Sequence, residues 1–61
     1  MRQAVNYWFG ENATYMFLFA QTDNGKTCRV RTEKRDNELP EHTEHRLIIR
    51  MQKLYKLTTA Y

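Results

Sequence analysis

The apolar positions of the chain follow two regimes. Up to about residue 34 they alternate with polar ones, and from Leu47 they recur at helical spacing. In the first regime, the apolar-rich stretch Tyr15 to Ala20 and the alternating stretch Thr27 to Thr32 lie either side of Asn24-Gly25. Asn-Gly reaches the two positive-φ positions of a two-residue type I′ turn at least steric cost. The arms are rich in aromatic and β-branched residues, which suit half-buried strands. The pattern predicts a β-hairpin with Asn24-Gly25 as its loop.

That loop implies a register. Gln21 would face Cys28, Phe19 would face Val30 and Phe17 would face Thr32, and opposed residues share a face. One face would then carry Tyr15, Phe17, Phe19, Cys28 and Val30 as core. The other would set Met16, Leu18 and Ala20 against Glu33, Arg31 and Arg29. Upstream, Val5, Tyr7 and Phe9 alternate with Ala4, Asn6 and Trp8, predicting a first strand. A three-residue loop at Gly10-Glu11-Asn12 would place Tyr7 opposite Tyr15, and Trp8 on the outer face with Met16 and Leu18.

Pro40 is suited to a first helical turn, with Asp36 or Asn37 available as a capping side chain. Leu47, Ile48, Met51, Leu54 and Tyr55 form one apolar stripe. Glu38, Glu41 and Glu44 come early, while Arg46, Arg50, Lys53 and Lys56 come late, the order the helix dipole favours. The expected fold is α+β: a three-stranded antiparallel β-meander packed on one C-terminal α-helix (βββα). Its strands would span about 3–9, 14–22 and 26–34 and its helix about 39–57, in a single small domain covering 1–61. Phe17, Phe19, Val30, Leu47, Met51 and Leu54 are the expected core. In architecture alone this layout resembles small sheet-plus-helix DNA-binding modules such as the arm-binding domains of tyrosine integrases.

Length then limits the chemistry, because 61 residues leave little room for a deep cleft. A chain this small can gain stability by docking on a partner or by forming a homodimer. A single cysteine, no stretch resembling a signal peptide and no apolar run near membrane-spanning length predict a cytoplasmic protein without a membrane partner. The net charge of +3 suits a polyanionic partner. No metal or other cofactor is expected. His42 and His45 match no zinc-ligand spacing, and Cys28 is predicted to sit mid-strand on the core face as a small hydrophobe. Without a paired acid and base, an enzyme is not expected either.

Two surfaces remain as candidates for binding. The first is the outer sheet face of Trp8, Met16, Leu18, Arg29 and Arg31, extended by Lys34 and Arg35. Tryptophan, methionine and arginine are the residues enriched at interfaces, and aromatic side chains with arginine also stack on bases. The second is a basic helix face of Arg46, Arg50, Lys53 and Lys56, with Ile49 and Leu57 exposed among them. Its plain alternative is a solvated face that suits the dipole. On the assumed register the two surfaces lie on opposite sides, beyond the reach of one flat ligand. The expected function is a small non-enzymatic module that binds nucleic acid through the sheet face. The alternative is a protein-interaction module, an inhibitor or adaptor of the kind phages and other mobile elements encode, docking on an acidic protein or nucleoprotein. Steep salt dependence would mark the first.

Overall fold

A computed structural model describes residues 2–59. The elements run β1 (Arg2–Gln3), β2 (Asn6–Glu11), β3 (Tyr15–Gln21), β4 (Thr27–Glu33), α1 (Pro40–Tyr55) and β5 (Leu57–Thr58). Strands β2, β3 and β4 form an antiparallel sheet in that order, and β1 pairs with β5 in a second, parallel sheet. The βββα expectation is therefore corrected. The fold is α+β with five strands in two sheets, and a strand follows the helix.

The hairpin between β3 and β4 forms, but its loop has three residues. Gln21 pairs with Thr27, Phe19 with Arg29 and Phe17 with Arg31. The Lys26 carbonyl accepts a hydrogen bond from the Thr22 amide at 2.9 Å, and the Thr22 carbonyl accepts one from the Gly25 amide at 3.0 Å. Gly25 alone takes the left-handed conformation, with φ 86°. One left-handed residue at the third loop position is the signature of a type I turn closed by a G1 bulge. Asn24 keeps a negative φ and works through its side chain, accepting from the Thr22 hydroxyl and, at 3.3 Å, from the Lys26 amide.

The extra loop residue slips the register by one, which turns every β3 side chain to the opposite face. Met16, Leu18 and Ala20 are buried, while Tyr15, Phe17 and Phe19 lie half-buried on the outside. Strand β2 departs from expectation by an odd number as well. Tyr7 pairs with Ala20, Trp8 with Phe19 and Gly10 with Phe17. The connection is tightened by Asn12, whose Oδ1 accepts from the Thr14 and Tyr15 amides at 2.8 Å each. The two odd displacements cancel between β2 and β4, so Trp8, Arg29 and Arg31 share the outer face as expected and only β3 is inverted.

The core contains Met16, Leu18, Ala20, Cys28 and Val30 from the sheet and Leu47 and Met51 from α1. Ala4 and Leu57 complete it from the flanking segments. Phe17 and Phe19 do not belong to it, nor does Leu54, which is 61% exposed. The helix ends at Tyr55, where Lys56 takes the left-handed conformation (φ 56°) and donates its amide to the Gln52 carbonyl at 3.0 Å. That reversal returns Leu57 to the core, 1% exposed, rather than leaving it on the basic face. It also lays β5 beside β1, with the Ala4 amide donating to the Thr58 carbonyl at 2.9 Å. The expected first strand is split accordingly, its start pairing with β5 and its remainder with β3.

At the start of the helix, Leu39 is the N-cap and makes no side-chain capping bond, so neither Asp36 nor Asn37 fills that role. The segment is fixed instead by Glu38. Its carboxylate accepts from the Thr43 hydroxyl at 2.7 Å and from Arg46 Nε and Nη2 at 3.1 and 2.7 Å. Arg46 continues to the Thr32 hydroxyl at 2.8 Å and the Glu33 carbonyl at 3.1 Å, so a single guanidinium joins helix, connection and β4. The Arg46 and Thr43 hydrogen bonds hold the Glu38 carboxyl below its ordinary pKa, against the opposing effect of burial.

Candidate functional site

With its aliphatic row turned inward, β3 presents its aromatic row to solvent. The row begins in β2 with Trp8, 41% exposed, whose indole stacks on Phe19 at 5.4 Å and 10°. Phe19 is followed by Phe17 at 6.2 Å and 30°, and Phe17 by Tyr15 at 6.4 Å and 48°. Alternation along a strand sets same-face neighbours about 6.6 Å apart, so the spacing of the β3 rings follows from the backbone. Gly10, opposite Phe17, leaves the neighbouring place open. A Cβ there would lie 3.4 Å from Phe19 Cε2, so the ring extends over bare backbone.

Strand β4 adds the charge. Arg31 lies over the Tyr15 ring with Cζ 4.7 Å from its centroid, and Arg29 lies over Phe17 at 5.9 Å. Each guanidinium reaches the ring diagonal to its paired residue rather than the one directly opposite. Such contacts fix the arginines over the rings without neutralising them. The result is a continuous run of four aromatic rings, three along β3 and Trp8 beside Phe19 across the strand pair, with two guanidinium groups along one flank.

Among the candidates named from the sequence, Trp8, Arg29 and Arg31 lie on this face. Met16 and Leu18 do not: they are 8% and 0% exposed, beneath the sheet in the core. Lys34 sits beyond the end of β4 in an ion pair with Glu11 at 3.0 Å. On the helix, Arg46 is committed to Glu38, while Lys53 and Lys56 are exposed at its C-terminal end. Arg50 is placed differently from expectation, because it and Arg31 line the same hollow between β4 and α1, joined by Arg35. One ligand can therefore reach both the sheet and the helix arginines.

Tyr15, Phe17 and Phe19 are residues of the candidate face that the sequence pattern placed in the core instead. The signal that could have exposed them was Asp23-Asn24-Gly25 read as a three-residue loop with glycine third. Among the described residues, no three His, Cys, Asp or Glu side chains gather to hold a metal, and no helix is long and apolar enough to cross a membrane.

The arrangement defines a small domain with an exposed aromatic cluster on one sheet face, the form of a general binding surface. No family model, curated protein or solved structure matches the chain.

Proposed function

We propose that the outer sheet face binds single-stranded nucleic acid, with bases stacked on Trp8, Phe19, Phe17 and Tyr15 and phosphates met by Arg29 and Arg31. The observation that carries this reading is the continuous run of rings flanked by guanidinium groups. Phenylalanine normally stabilises a fold by about 1.5–3 kcal/mol when fully buried. This chain buries methionine, leucine and alanine from β3 and leaves the larger rings at the surface. A folding requirement alone does not favour that choice. Flat π-faces accept any base, and nearby cations follow the backbone, which suits binding with little sequence preference. The module acts by binding and not by catalysis.

Fluorescence anisotropy with a labelled oligothymidylate tests the reading. Phe17→Ala is expected to weaken binding about 5- to 150-fold, the loss of roughly 1–3 kcal/mol of stacking. The logarithm of affinity should also fall linearly with the logarithm of salt, with a slope of about −0.7 for each phosphate neutralised. No binding by the wild type, or binding indifferent to both salt and Phe17, would refute it. The face would then be better read as a protein interface, where aromatic residues and arginine are also enriched.

A further inference from the structure

The hollow shared by Arg31, Arg35 and Arg50 is not isolated. It measures about 410 Å³ and runs along the open edge of β4, with Tyr15, Glu33 and Arg46 completing much of its lining. A second hollow of about 340 Å³ continues it, lined by Arg29, Val30, Arg31, Arg50 and Leu54. Because Arg31 and Arg50 line both, the two form one trough between the sheet edge and the helix. Tyr15 and Arg31 also belong to the ring face, so the trough opens beside the end of the aromatic line.

Most of the charge in this trough has no partner in the fold. Arg46 is neutralised by Glu38. Among the described residues, Arg29, Arg31, Arg35 and Arg50 form no ion pair, although Arg35 lies near enough to Glu38 to help lower its pKa, and Glu33 is the one acid in the lining of either hollow. The Arg50 side chain also makes no hydrogen bond among the described residues. The helix dipole does not account for it, since that effect fades within the last turn and Arg50 precedes it. Four guanidinium groups along one concave strip repel one another unless an anion lies between them.

We infer that this trough is a phosphate track, in which Arg31, Arg35 and Arg50 hold successive phosphodiester groups of a strand whose bases lie on the ring face. The inference rests on the proposed binding of single strands and assigns the backbone a path that the ring face alone does not. It also makes the helix part of the site through Arg50. Arginine fits the role because its planar fork meets phosphate oxygens in pairs.

The test uses two probes, an oligothymidylate and an abasic phosphodiester oligomer of the same length. Arg35→Gln with Arg50→Gln should not lower the melting temperature, since it relieves repulsion among the guanidinium groups. It should flatten the salt slope for oligothymidylate by about 1.4, or 0.7 for each lost phosphate contact, and abolish binding of the abasic oligomer. Phe17→Ala should weaken oligothymidylate binding while leaving abasic binding and both salt slopes as in the wild type. An unchanged slope in the double arginine variant overturns the track, even if Phe17→Ala weakens binding and so supports the stacking reading. Abasic binding that depends on Arg35 and Arg50, with Phe17→Ala without effect, supports the track and refutes the stacking.

Discussion

Leu18→Ala and Phe17→Ala change adjacent residues on one strand, and the register predicts unequal costs. Leu18 is fully buried, with Phe9 and Val30 as its cross-strand partners and the helix residues Leu47 and Met51 in the same core. Truncation there leaves a cavity that close packing cannot fill, at a cost of about 2–5 kcal/mol. A domain of 61 residues has only about 3–9 kcal/mol of stability in total, so Leu18→Ala should remove a large share of it. Phe17 loses ring contacts with Tyr15 and Phe19 and the cation above it, but exposes no core. With aromatic pairs contributing about 0.5–1.5 kcal/mol each, the two pairs make Phe17→Ala cost about 1–3 kcal/mol, less than the core truncation. Urea denaturation followed by circular dichroism measures both. If Phe17→Ala proves the more damaging, β3 faces the other way and the exposed ring line does not exist.

Further predictions concern the turn, the helix end and the Glu38 cluster. Gly25→Ala should cost about 1–2 kcal/mol in a thermal melt because Gly25 is the left-handed residue of this turn. Asn24→Gly, harmless in a type I′ turn, should destabilise by removing the side-chain bonds to Thr22 and Lys26. Lys56→Gly should raise stability by about 1 kcal/mol, since glycine takes the left-handed cap without strain, and a lower melting temperature would contradict the cap geometry. Glu38 has a lowered pKa in the folded state, so its contribution is fully present above the ordinary carboxylate range and is lost as pH falls through the lowered value. Melting temperature should therefore decline more steeply toward acid pH for the wild type than for Glu38→Gln, and parallel curves would exclude this linkage.

Much of the β2–β4 sheet was legible because β2 and β4 have clear signatures. Val30 and Cys28 alternate with arginines, and Trp8 alternates with Tyr7 and Phe9, so each strand declares its buried side. Strand β3 does not. Both of its rows are apolar, Tyr15-Phe17-Phe19 and Met16-Leu18-Ala20, so its facing depended wholly on loop length, and a one-residue difference in the loop reversed it. The helix start was marked by Pro40. Its end was hidden because a lysine, not a glycine, takes the left-handed position, and periodicity continues through Leu54 although Leu57 supplies the core contact. The β1–β5 pair, two residues on each side, is too short to leave any pattern. On the outer face, the placement of Trp8, Arg29 and Arg31 followed from the alternation of β2 and β4, whereas that of Tyr15, Phe17 and Phe19 depended on the β3 register. The approach of Arg50 to Arg31 follows from how the helix lies against the sheet edge, which no local pattern encodes.

The pairing of β1 with β5 also has a kinetic consequence. Arg2 and Gln3 meet Leu57 and Thr58 across almost the whole described chain, while the β2–β3–β4 meander forms from neighbours. Closing so long a loop costs entropy before any contact is made, so non-local pairings form late. The hairpins and helix can assemble first, but the core lacks Ala4 and Leu57 until the two ends meet. In hydrogen exchange, the Ala4 amide, bonded to Thr58, should open before the amides of β3. Mutations at this junction would then accelerate unfolding and leave the folding rate nearly unchanged.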